Sequence, residues 1–138
     1  MNMSPLPFEE VDHTADWALR VWGATVPELF VNAARGMYHL VGAERQGGAT
    51  VYRPVNLQAL DLETLLVDWL TELLYRLHEH NEAFDTLQIE SLTAERLQAC
   101  VAGGPASPLD KYIKAATFHN LRIIRAKEGY EVTVVFDV

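Results

Sequence analysis

Leu62-Glu63-Thr64-Leu65-Leu66-Val67-Asp68-Trp69-Leu70-Thr71-Glu72-Leu73-Leu74-Tyr75-Arg76-Leu77 carries the strongest periodicity in the chain. Leu62, Leu65, Leu66, Trp69, Leu70, Leu73, Leu74 and Leu77 step by three and one, a rhythm that a helix gathers onto one face. Glu63, Asp68, Glu72 and Arg76 fall on the other side, and Glu72 and Arg76 form a supportive i,i+4 pair. Asp61 is the expected N-cap, and the helix should end near His78-Glu79-His80-Asn81. So wide an apolar stripe needs a second layer to cover it, and the flanking segments say what that layer is.

Upstream, Thr25 and Glu28 form a capping box with Pro27 in the first turn. Leu29, Phe30, Ala33, Ala34, Met37 and Leu40 continue as one buried face, and Gly42 is the expected C-cap. Before this helix, Phe8 to Val11 and Trp17 to Trp22 look like short strands, the second alternating up to Gly23. Between the helices, Val51 to Gln58 reads as a strand, and Pro54 suggests an edge position. Downstream, Asp85 to Leu92 and Glu95 to Ala102 are expected to pair through Thr93-Ala94. Ile113 to Ile124 has strand character, Lys127-Glu128-Gly129 reads as a turn, and Tyr130 to Val138 alternates almost ideally. Gly42 to Thr50 and Gly103 to Pro108 read as loop breaks. The order β-β-α-β-α-β-β-β-β has no repeating βα unit. It predicts an α+β fold, a two-layer α/β sandwich with two main helices packed on a largely antiparallel or mixed sheet.

The 138 residues suit a single domain spanning 1–138. Hydrophobic residues make up 49% and charged residues 22%, which disfavours disorder and coiled coil. No apolar run is long enough for a membrane helix. Met1 to Pro7 lacks the features of a signal peptide, so a cytoplasmic location is expected. Cys100 is the one cysteine. It has no intrachain partner for a disulfide and is expected to be a small buried hydrophobe. Eleven Lys and Arg against 19 Asp and Glu give a net charge of −8. Such a balance disfavours broad contact with nucleic acid and favours divalent cations or a basic protein surface as partners.

Two constellations carry possible chemistry. Asp12-His13-Thr14-Ala15-Asp16 joins the first two strands, and Glu9, Glu10, Asp12 and Asp16 put four carboxylates within eight residues. Polar residues in a tight connection need no catalytic explanation, since Asp and Thr bond to neighbouring backbone there. Repulsion among the carboxylates, however, is relieved by solvent or by a cation. The second constellation is Val135-Phe136-Asp137-Val138, where a strong strand runs to the last residue. If that strand lies beside the first, Asp12, Asp137 and the Val138 carboxylate converge, and hard oxygen donors suit Ca²⁺, Mg²⁺ or Mn²⁺. His78 and His80, two apart at a helix end, are expected to favour the helix C-terminus over a metal, and His39 is expected to be structural. Lys114 and His119 should point to opposite faces if their strand is regular. No motif for nucleophilic catalysis is present. Two further readings stay open: a metal-dependent phosphohydrolase using the same carboxylates, and a metal-free chaperone or adaptor acting by surface contact.

Several segments in order resemble one family, archease. They are Phe8 to Asp16 with Gly23 after its strand, Pro27-Glu28-Leu29-Phe30 with Ala33-Ala34, Leu65 to Tyr75, Ile113 to His119, and the closing Phe136-Asp137-Val138. The resemblance implies an α/β sandwich and a protein cofactor of the RNA ligase RtcB, which joins tRNA halves and repairs broken RNA. It implies promotion of ligase guanylylation and of multiple turnover; the charge of −8 fits docking to a basic ligase cleft better than holding RNA, so no direct nucleic-acid binding is expected. It further implies a divalent-metal site on Asp12, Asp137 and Val138, with Glu28 and Lys114 as the nearest matches to positions needed for ligase activation. Many relatives have Val where this chain has Ala116, and Tyr where it has Phe118.

Overall fold

The computed structural model describes residues 6–11 and 17–138. Its elements are β1 (Phe8–Val11), β2 (Trp17–Gly23), α1 (Val26–Val41), β3 (Val51–Gln58), α2 (Leu62–His80), β4 (Glu82–Leu92), β5 (Arg96–Pro105), β6 (Ala115–Ala116), β7 (Ile124–Ala126) and β8 (Gly129–Asp137). They form two antiparallel sheets. One has the order β1-β2-β8-β6, with β7 also on β8; the other has the order β3-β5-β4. Two helices packed on antiparallel sheets make this an α+β fold, as the element order predicts.

Both helices begin as their caps dictate. Thr25 Oγ1 accepts the Glu28 amide at 3.2 Å and the Glu28 carboxylate accepts the Ala24 amide at 3.0 Å, which completes the capping box. Asp61 Oδ1 accepts the Thr64 amide at 2.8 Å; the Thr64 hydroxyl first, and this amide second, hold the Asp61 carboxyl below its usual range. Gly42 closes α1 at φ 72°, and Asn81 closes α2 at φ 54°, both left-handed. The leucine stripe of α2 is buried from Leu65 to Leu77. Trp69 lies at its centre, and its indole N–H donates to the Phe30 carbonyl at 2.9 Å, so α1 and α2 are joined by a satisfied polar contact. Leu19, Val21, Val132, Val134 and Phe136 of the first sheet and Val55, Leu97 and Val101 of the second complete one continuous core.

Four expectations change. β4 starts at Glu82 and not Asp85, because Asn81 turns the chain directly out of α2, and Arg53 on β3 grips the Glu82 carboxylate at 2.7 and 3.3 Å. β5 runs through Gly103-Gly104 to Pro105, where the sequence suggests a break. A Cβ at Gly103 would lie 2.0 Å from the Ala83 carbonyl oxygen, so Gly103 lets β4 approach closely, while Gly104 faces the Arg45 side chain; neither interrupts the strand. The Ile113–Ile124 strand is two short pieces, β6 and β7. Between them the chain leaves the sheet: Thr117 ties its amide and hydroxyl to the Val135 carbonyl, and Asn120 adopts φ 50°. Lys114 and His119 lie outside both pieces, so strand alternation does not govern them. Finally, the last strand pairs with β2 and not with β1. Pro54 does mark an edge, since β3 is the outer strand of its sheet. Cys100, opposite Pro54 and Gln88 on β5, is half-buried and not wholly inside.

Candidate functional site

β8 is the strand on which the candidate residues are hung. Val132, Val134 and Phe136 fix it in the core. β2 pairs along it from Gly23↔Tyr130 to Trp17↔Phe136. At its far end Asp137 is paired with Ala115, and the Asp137 carbonyl accepts the Lys114 amide at 2.7 Å. The backbone of Asp137 is thus held on one side by β6, while its side chain and Val138 are exposed.

The same end of the sheet receives the loop after β1. Val11 is paired with Ala18, and Ala18 with Val135. The chain therefore leaves β1 at Val11 and re-enters β2 at Trp17 on the rim where β8 finishes. Asp12, His13, Thr14, Ala15 and Asp16 lie outside the described residues, and with them the first of the three expected metal ligands and the expected backbone role of Asp16. Of the four clustered carboxylates, two are described. Glu9 pairs with Arg20, and Glu10 lies 3.8 Å from Lys111 Nζ. Lys111 also sits over the Trp17 ring, 4.3 Å from its centroid. Cations of the chain itself thus answer part of the repulsion that the sequence implies. Among the described residues, no three His, Cys, Asp or Glu side chains cluster closely enough to hold a metal ion. Asp137 and Val138 are the two expected ligands that the structure describes.

Lys114 and Glu28 part company. Lys114 adjoins Asp137 through the backbone, and its side chain is exposed. Glu28 stands at the opposite end of β8. It lines an open cleft of about 580 Å³ with Trp22, Gly23, Asn32, Gly129 and Tyr130. Tyr130 and Asp137 are seven positions apart, about 23 Å along a strand. Glu28 is not near Asp137, and its carboxylate is engaged in the helix cap.

The histidines have local duties. His39 faces the Phe8 ring at 5.5 Å. His80 contacts Tyr75. His78 stacks on Tyr112 at 4.6 Å, and its Nε2 is buried without a hydrogen-bond partner. Burial pushes the His78 imidazole below its usual range, only partly opposed by Glu79. Sequence reasoning missed how Thr117 anchors the loop after β6. A threonine just past a two-residue strand carries no pattern that marks it.

Comparison with known proteins matches the profile of the archease protein family to residues 8–138. A protein archease of Methanosarcina mazei is 36% identical, over 95% of each chain. A protein archease of Methanosarcina barkeri is 30% identical, over the whole of both. The fold matches the crystal structure of a Thermotoga maritima protein described as an archease and possible chaperone. The TM-score is 0.68 at 19% identity, with 100% of this chain and 99% of that one covered. It also matches the solution structure of a Methanobacterium thermoautotrophicum protein at TM-score 0.69 and 24% identity, covering 96% and 99%.

Proposed function

The chain belongs to the archease family, and on that premise we propose that it is a non-catalytic protein cofactor of the RNA ligase RtcB in the cytoplasm, acting through the Asp137 end of β8. The observation that supports this reading is the meeting of three chain segments at one rim. The stems Val11 and Trp17, the end of β8 and the Lys114 backbone all stand there. A carboxylate on a backbone held by a neighbouring strand loses little freedom when it meets a partner, which favours binding.

In this reading Asp12, Asp137 and Val138 hold a divalent ion, Ca²⁺, Mg²⁺ or Mn²⁺, and Lys114 assists. The two described members fit such a group: both are exposed, and oxygen donors suit hard cations. The ion would supply positive charge and exchangeable coordination positions. The protein's own part is to present carboxylates on a stiff support to a cleft that must be basic to hold RNA ends and nucleotide. A net charge of −8 speeds approach to such a cleft. The bond-making stays with the ligase.

A multiple-turnover RNA-joining assay with the organism's own ligase and GTP tests the proposal. The wild-type chain should raise turnover, and Asp12→Ala, folded as judged by circular dichroism, should not. Unchanged turnover with Asp12→Ala rejects it. A second reading, a metal-free chaperone or adaptor, draws on the description of the Thermotoga maritima relative as a possible chaperone. Titration with Mn²⁺ or Ca²⁺ separates the two, since only the first reading requires binding.

A further inference from the structure

We propose that the outer edge of the five-stranded sheet is a binding site for single-stranded RNA. Residues 111–127 contain five of the chain's 11 Lys and Arg and none of its 19 Asp and Glu. This short segment therefore carries +5, and the remainder of the chain −13. The net charge conceals a basic face, and local potential, not the total, governs what binds there.

The fold turns that segment into a rim. β6 and β7 both pair with β8, from Ala115↔Asp137 at one end to Ala126↔Gly129 at the other. That is about 26 Å of strand. Arg125 is exposed on β7, with its guanidinium over the Tyr130 ring, and Lys114, Arg122 and Lys127 are exposed in the segments flanking the two strands. Phe118 is 55% exposed in the middle. Its support is stiff: both hydrogen bonds of Thr117 to the Val135 carbonyl precede it, and the Leu121 amide closes a turn onto the Phe118 carbonyl at 3.0 Å. An exposed aromatic ring with cations on either side of it in the chain is what stacks a base while its neighbours meet phosphates. The acids near the rim stand at its ends, Glu128 and Glu131 at one and Asp137 at the other. Glu63, nearer the middle, accepts the Ile123 amide at 3.1 Å.

The exposed ring favours a single strand over an acidic protein. The choice of RNA over DNA rests on the ligase reading above. Binding is measured without ligase, so either proposal can fail while the other stands.

The test is fluorescence anisotropy of a labelled oligouridylate of roughly ten nucleotides with the full chain, in about 20 to 200 mM salt. Four exposed cations predict binding at low salt and a log–log salt slope between about −2 and −3. Arg122→Glu with Lys127→Glu, both at exposed positions, should weaken binding more than tenfold, by roughly the loss of two phosphate contacts plus repulsion. Phe118→Ala should weaken it about tenfold with the slope unchanged, since stacking carries no counterion term. Asp137→Asn should not weaken it. Absence of binding at the lowest salt overturns the proposal, as does a charge-reversed variant that binds like wild type. Displacement by polyglutamate as effective as by unlabelled RNA would also overturn it and assign the rim to an acidic protein.

Discussion

The two ends of β8 are built from one strand and do opposite things. At the Gly129 end, close packing fixes the glycines. A Cβ on Gly129 would lie 2.2 Å from the Gly23 carbonyl oxygen, and Gly129 has φ 144°, so neither space nor backbone admits a side chain. Gly23 is pressed as closely against Leu29, and Glu28 completes the cap of α1 above it. At the Asp137 end the backbone is held by β6, but the side chains of Asp137 and Val138 face water. Where a fold fixes a backbone yet leaves polar groups open, packing does not explain the residue types, and chemistry is the better account.

Variants that touch one end and not the other break or sharpen this contrast. The largest effect belongs to Gly129→Ala, which forces a clash with backbone in a conformation that alanine avoids. It should lose at least about 3 kcal/mol of stability by urea unfolding. A loss below 1 kcal/mol would mean that the Gly129 end is looser than its geometry says. Glu28→Ala comes next. It removes the capping-box bond to Ala24 and should lower stability by about 1 kcal/mol, with no change in ligase stimulation. Stimulation that falls faster than stability would return Glu28 to the activating set.

Acid lability should trace in part to the second sheet. Hydrogen bonds from Arg53 hold the Glu82 carboxyl below its ordinary 4.5, against the opposing effect of burial. A depressed folded value means the unfolded chain binds the proton more readily. The contribution is therefore complete above about pH 4.5 and is lost as pH falls through the lower folded value. Glu82→Gln should flatten the acid arm of the stability curve. The smallest effect concerns His78, whose burial lowers its proton affinity below the ordinary 6.5. Its contribution is full above that value and is lost as pH falls below it. His78→Phe keeps a ring against Tyr112 and should remove that shallow slope in thermal melts.

Much of the fold was legible because local chemistry and core pattern agree. The stripe from Leu62 to Leu77, the caps Thr25, Gly42 and Asp61, and the alternation after Tyr130 each point to one structure. The errors fell where distant contacts override local signal. Gly103 and Gly104 look like a break, and only the approach of β4 shows why a strand needs them. The segment after Ile113 has strand-forming residues, yet Thr117 bonds back to Val135 and the chain leaves the sheet. The candidate site was half legible. Asp137 stands out because it ends a strong strand. That it lies beside the stems of the loop holding Asp12 depends on β2 coming between β1 and β8, which no local pattern states. Where Glu28 stands was not legible for the same reason, since sequence spacing cannot say which end of a sheet a helix starts from. The basic rim was hidden by averaging its charge with the rest of the chain.

One assay sets the two ends of β8 against each other: ligase turnover with GTP, stimulated by Asp137→Asn or by Glu28→Ala at equal folded concentration. The account predicts that Asp137→Asn, with stability within about 0.5 kcal/mol of wild type, loses at least about tenfold of the stimulation, as removal of a charge-assisted contact does, while Glu28→Ala keeps it. Full stimulation by Asp137→Asn, or equal loss in both variants, would contradict it.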